Sequence, residues 1–136
     1  MNKKRGSLLI PYYFNNEDLY VFLQRRSDEA PLNPGTLGGF GGGLEENENN
    51  EEALVREIRE ELEYSPKDYL LLETLETDYS ISNYYIEKVD EDFAKKITVN
   101  EGKQGEWHRA VTLSKRNDVI RNVKKAAQAM LEKLKN

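Results

Sequence analysis

The chain has 136 residues, 38% hydrophobic and 33% charged, with a net charge of −5 at neutral pH. That length suits one domain with one core over residues 1–136, and the acidic balance speaks against the basic stripe of a nucleic-acid surface. With no cysteine and one histidine, disulfides, thiolate metal sites and a histidine-built zinc site are excluded.

The start, Met1-Asn2-Lys3-Lys4-Arg5, is basic, but Pro11 and two tyrosines cut short the apolar run of Leu8, Leu9 and Ile10. That is no signal peptide, and no run approaches the ~20 apolar residues of a membrane span. The expected address is the cytoplasm. Residues 7–14 read as a strand, 15–18 as a turn and 19–26 as its hairpin partner. Pro31, Pro34 and six glycines make 27–43 a loop, with a short strand expected near 37–40. Residues 51–63 read as a helix with Asn49 or Asn50 as N-cap and Glu51 and Glu52 in its first turn. Ala53, Leu54, Ile58 and Leu62 recur at helical spacing and should face the core, and Pro66 stops the helix. Segments 69–79, 83–89 and 106–113 read as strands, and 117–135 as the clearest helix. A helix between strand groups plus a terminal helix gives an α/β fold, a sheet covered by helices.

Within 51–63, Glu57, Glu60 and Glu61 stand at i, i+3 and i+4 and share one helix surface, opposite the core residues. They sit in the last turns, where the helix dipole disfavours carboxylates and like charges repel by a few tenths of a kcal/mol per pair. An acidic helix face tempered by Arg56 and Arg59 is ordinarily just solvated. A bound Mg²⁺ or Mn²⁺ would reverse the sign of that electrostatic cost, because hard cations prefer oxygen ligands. The glycines at 38, 39 and 41–43 would let main chain approach phosphates closely. No Gly-Lys-Ser/Thr follows the loop, and Leu44 stands where a dinucleotide fingerprint needs its last glycine.

The spacing resembles the box of the Nudix hydrolases. That box is a glycine, five residues, a glutamate, seven residues, then Arg-Glu-aliphatic-x-Glu-Glu-x-Gly-aliphatic. Gly42, Glu48, Arg56, Glu57, Ile58, Glu60 and Glu61 all stand in register. Two positions depart: Glu63 replaces the last glycine and Tyr64 the final aliphatic residue. A glycine there resembles a left-handed C-terminal cap, which strains any other residue by about 1 kcal/mol.

The resemblance implies a Nudix-type α/β/α sandwich with a mixed sheet between helices. It implies Mg²⁺ or Mn²⁺ as cofactor, held by Glu57, Glu60 and Glu61, with a backbone carbonyl near Gly41. Glu48 and Arg56 would support the box. A further glutamate often completes such a site. Glu101 is the first candidate and Glu106 the second, on the resemblance of Glu101–Trp107 to the nucleotide-pool-cleaning branch. Glu57, Glu60 and Glu101 are the expected catalytic residues, with Glu57 or Glu101 taking the proton of the attacking water.

Arg25, Arg26 or both are candidate phosphate clamps, the plain alternative being a surface strand end. Gly42 is the third expected substrate contact. Tyr12, Tyr13, Tyr84, Tyr85 and Trp107 include candidates for a base-stacking wall, although aromatics more often fill cores. His108 reads as structural. The markers of ADP-ribose, NADH and coenzyme A hydrolases are missing: Pro66 is the last proline, and Tyr79 sits near the ADP-ribose proline position. The expected substrate is therefore a small nucleotide, a nucleoside diphosphate linked to X. A nucleoside triphosphate, oxidised ones included, is favoured, going to monophosphate and pyrophosphate. The alternatives are a non-catalytic nucleotide-sensing Nudix module, or an NDP-sugar or RNA-end pyrophosphohydrolase.

Overall fold

The computed structural model describes residues 2–100 and 104–136. Strand β1 (Lys4–Asn15) turns through a two-residue hairpin into β2 (Asp18–Arg25). Asn16 holds a positive φ of 57° there, a conformation asparagine tolerates better than most side chains. The glycine-rich segment carries β3 (Leu37–Gly38) and β4 (Phe40–Gly43), followed by helix α1 (Asn50–Leu62). Beyond it come β5 (Tyr69–Glu76), β6 (Ser80–Lys88), a short helix α2 (Phe93–Lys96), β7 (Gln104–Arg109) and helix α3 (Arg121–Lys133).

The sheet order is β3-β2-β1-β6-β5, with β4 also pairing β1 and β7 also pairing β2. Only β1 and β6 run parallel among these ladders, so the sheet is mixed. Neighbouring residues along a strand point to opposite faces, and the core divides accordingly. Leu9, Phe22, Phe40 and Tyr85 pack against Leu54, Ile58 and Leu62 of α1. Ile10, Val21, Leu23, Tyr84 and Ile86 pack against Val123, Ala126 and Met130 of α3. The expected α/β/α sandwich is what forms.

Two expectations needed correction, and one element was not expected. The strand expected over 106–113 ends at Arg109, and Ala110–Lys115 coils into a 3₁₀ turn that buries Ala110 and Leu113. The helix expected from 117 starts at Arg121, because β3 captures the preceding residues. Leu37 N–H donates to the Asp118 carbonyl at 2.7 Å, and Ile120 N–H to the Leu37 carbonyl at 3.0 Å. The short helix α2, which drops Phe93 into the α1-side core, had no clear periodicity to announce it.

Candidate active site

Helix α1 is fixed at both ends before any chemistry is considered. At its start Asn49 accepts from Glu52 N–H at 2.8 Å while the Glu52 carboxylate accepts from Asn49 N–H at 2.9 Å, a reciprocal capping box. Asn50 ties that end to β1, donating to the Gly6 carbonyl at 2.9 Å and to Ser7 Oγ at 3.1 Å. At the far end Glu63 takes the left-handed conformation, φ 51° and ψ 42°, and donates its N–H to the Arg59 carbonyl. The box glycine is missing, but its backbone shape is kept. Tyr64 turns inward, packing edge-on against Phe93 and donating its hydroxyl to the buried Glu87 at 2.8 Å.

The last carbonyls of α1 find donors in the segment 98–100. Thr98 N–H reaches Leu62 O, Asn100 N–H reaches Glu61 O, and the Asn100 amide reaches Glu60 O at 2.8 Å. Asn100 was not a sequence candidate. It anchors the chain beside the glutamates just before Glu101, which lies outside the described residues.

The glycine strand and the glutamates meet directly. Gly41 has φ 142°, and a Cβ there would collide with the Ser7 carbonyl of β1 at 2.1 Å, so only glycine fits. Its N–H donates to Glu61 Oε1 at 2.7 Å. A Cβ on Gly42 would stand 2.9 Å from the Glu57 carboxyl group. Glu61 is 7% exposed, and Gln24 of β2 donates to its other oxygen at 3.4 Å. Gln24 escaped the sequence reading, although a polar residue in the apolar run Leu-Tyr-Val-Phe-Leu-Gln was a signal.

Arg56 is the hub of the loop–helix contact. It bonds Glu48 through two nitrogens at 2.7 and 2.9 Å, Glu57 Oε1 at 2.9 Å and the Gly43 carbonyl at 3.0 Å. The Arg56 hydrogen bonds, joined by the Glu45 N–H, hold the Glu48 carboxyl down to about 2. Arg56 itself stays charged at any working pH, held chiefly by Glu48. Glu60 is the most open of the three glutamates, its side chain 60% exposed.

Among the described residues no three carboxylates already converge on one point. Glu57 leans to Arg56 and Glu61 to Gly41. The donor set nonetheless suits a hard divalent cation: carboxylates from one helix surface, with bare main chain at Gly41 and Gly42 alongside and no side chain in between.

Arg25 and Glu106 belong to the other face. Glu106 sits directly across from Leu23, and Arg25 lies two residues on from Leu23, so both point toward α3. Arg25 bonds Glu106 at 2.8 and 2.9 Å, Asp118 at 2.8 Å and the Gly35 carbonyl at 3.0 Å. This corrects the clamp expected of Arg25 and the second candidacy of Glu106, since neither side chain is presented to the glutamates. His108 joins the same cluster, contacting Glu106 at 2.8 Å and Arg116 at 3.4 Å. Arginine only donates, so the histidine nitrogen facing Arg116 is the acceptor and the other gives its hydrogen to Glu106. Arg26 stays on the rim, donating to the Leu32 carbonyl at 2.9 Å. Tyr13, Tyr20, Phe22 and Trp107 pack on one another rather than forming an open wall.

The NUDIX domain family model matches residues 3–126, nearly the whole chain. The chain belongs to the Nudix family. It is 31% identical over 105 residues to the 8-oxo-dGTP diphosphatase of Escherichia coli K12, spanning 73% of this chain and 77% of that protein. The MutT Nudix hydrolase of Burkholderia pseudomallei superposes with a TM-score of 0.72 at 20% identity, covering 95% of this chain and 98% of that one. The Nudix domain of Shewanella oneidensis NrtR, crystallised with ADP ribose, superposes with a TM-score of 0.67 at 14% identity, over 97% and 88%. The protein is a MutT-like Nudix pyrophosphohydrolase, of a family whose members use divalent metals and bind small nucleotides. No helix among the described residues is long and apolar enough to cross a membrane.

Proposed function

We propose that this protein is an Mg²⁺- or Mn²⁺-dependent hydrolase of a nucleoside diphosphate linked to X. The favoured substrate is a nucleoside triphosphate, oxidised ones included, released as monophosphate and pyrophosphate. The observation that carries this reading is the contact between glycine strand and glutamate helix, Gly41 N–H on Glu61 and Gly42 against Glu57. The similarity to an 8-oxo-dGTP diphosphatase supports the triphosphate over other X groups.

In this reading Glu57, Glu60, Glu61 and the Gly41 carbonyl hold the cation. When bound, the cation neutralises the diphosphate and makes water a better nucleophile near neutral pH. Gly42 lets the phosphates approach the main chain, and Arg26 contacts them from the rim. Arg56 keeps the loop against the helix through Glu48 and Gly43, which sets the distance between carboxylates and glycines. Glu57 or Glu101 takes the proton of the attacking water. The whole chain acts as one domain, in the cytoplasm.

The test is a panel of nucleoside triphosphates, oxidised triphosphates and NDP-sugars with Mg²⁺, reading monophosphate together with pyrophosphate or phosphate. Turnover of triphosphates that vanishes in excess chelator is the expected result. Tight nucleotide binding with no product over long incubation would instead identify a sensing module.

A further inference from the structure

The last four peptide carbonyls of an α-helix have no partner within it and must be satisfied from outside. In α1 they belong to Arg59, Glu60, Glu61 and Leu62. The left-handed cap at Glu63 meets the first of them, its N–H donating to the Arg59 carbonyl at 3.1 Å. The segment 98–100 meets the other three. Thr98 N–H donates to Leu62 at 3.1 Å, Asn100 N–H to Glu61 at 2.9 Å, and the Asn100 amide to Glu60 at 2.8 Å. One residue thus holds the main chain of both Glu60 and Glu61. It does so from a fixed base, because Ile97 and Val99 pack against the apolar core under α1.

We propose that Asn100 is a positioning residue for the cation site, fixing the last turn of α1 so that Glu60 and Glu61 present their carboxylates together. It acts through those two residues and supplies no ligand itself. The effect falls mainly on Glu60. Glu61 is also held at its side chain, by Gly41 N–H at 2.7 Å and Gln24 at 3.4 Å. The Glu60 side chain is 60% exposed and meets Arg56 at a long 3.5 Å. Where the Glu60 carboxylate can reach is therefore set by its backbone, and Asn100 pins that backbone at the carbonyl. A ligand that must be ordered as the metal binds weakens binding by the free energy of ordering it; one ordered beforehand does not. Removing a residue that orients a metal ligand typically lowers affinity by about 10- to 100-fold. This proposal rests on the metal-dependent reading for its cation, and its test separates it from the hydrolase reading.

Wild type, Asn100→Ala, Asn100→Gln and Thr98→Ala are titrated with Mn²⁺ alone by calorimetry, without nucleotide, and melted in chelator. Asn100→Ala removes the amide donor and keeps the main-chain N–H on Glu61. Thr98→Ala keeps the N–H that holds Leu62 and is the control for the segment. Asn100→Ala should bind Mn²⁺ about 10-fold more weakly while its melting temperature stays near wild type. The metal concentration for half activation of turnover should rise with it, and the KM for nucleotide at saturating metal should not. Asn100→Gln, which restores an amide donor on a longer arm, should bind between the two. Thr98→Ala should match wild type throughout. Unchanged Mn²⁺ affinity in Asn100→Ala overturns the proposal. So does an equal loss in Thr98→Ala, which marks a loosening of the whole segment. Mn²⁺ binding that depends on Asn100, with no hydrolysis of any nucleotide, would sink the hydrolase reading and leave this one standing. A wild type that binds no Mn²⁺ would sink both.

Discussion

The two faces of the sheet use the same residue types for opposite ends. On the α3 face Arg25 and Arg116 meet Glu106 and Asp118, with His108 completing the cluster. Every carboxylate there has a guanidinium, and the network closes. On the α1 face one arginine, Arg56, is shared by Glu45, Glu48, Glu57 and Glu60. The carboxylates outnumber the cation, and Glu61 leans on neutral donors from Gly41 and Gln24. A closed network stabilises a fold; an open acidic excess beside bare glycine main chain is the electrostatic shape of a cation site. Composition alone does not separate the two faces, whereas the charge balance around each carboxylate does.

The largest effect should come from the open face. Glu57→Gln or Glu60→Gln keeps size and removes charge, and should lower kcat by roughly 10²- to 10⁴-fold while thermal melting barely changes. The metal concentration for half activation should rise in the same variants. Normal turnover in the Glu57→Gln, Glu60→Gln double variant would remove the basis of the comparison.

On the closed face the ranking should invert. Arg25→Ala strands Glu106 and part of Asp118 and should lower stability by about 2 kcal/mol, between the values for exposed and fully buried pairs. Urea denaturation reads that loss, and metal half-activation should not move with it. A shift in metal activation without a loss of stability would return Arg25 to the phosphate site.

Acid titration probes both faces at once. Arg25, with help from His108, holds the Glu106 carboxyl down to about 2, as Arg56 does for Glu48, against ordinary values of 4.5. A depressed carboxylate contributes stability above its unfolded pKa and loses it as pH falls through its folded pKa. Stability should therefore drop between about pH 4.5 and pH 2. Arg25→Ala should remove the Glu106 share of that slope and Arg56→Ala the Glu48 share, each visible in melting curves taken across that window.

Much of the open face was readable before the structure because it is local. The Asn49 cap, the Leu54, Ile58 and Leu62 stripe and the Glu57, Glu60 and Glu61 face all follow from helical spacing within one segment. The closed face is non-local. The face of Arg25 is set by the β1–β2 register and that of Glu106 by the β2–β7 register, and a one-residue slip in either would reverse the side chain concerned. Residues 106–113 misled for a related reason: Val111 and Thr112 favour strands, but Leu113 is buried only by coiling the chain under α3. Val119 and Ile120 carry helical periodicity, yet β3 takes them as extended chain.

The smallest effect concerns the box position where glycine is replaced. Glu63 adopts the left-handed conformation that glycine would reach freely, so the strain is in the backbone. Its negative charge at the helix C-terminus is a second, separate penalty of a few tenths of a kcal/mol. Glu63→Ala removes the charge and keeps the strain; Glu63→Gly removes both. The stability difference between those two variants in urea should be about 1 kcal/mol in favour of glycine, with no change in metal activation from either. Equal stability would mean that the anchor beyond it, Tyr64 on Glu87 and Phe93, lets the helix end relax out of the left-handed cap when residue 63 carries a Cβ. The α1 carbonyls held by Thr98 and Asn100 argue against such freedom, because a relaxed end would release the Leu62 and Glu60 contacts that fix this segment beside the glutamates.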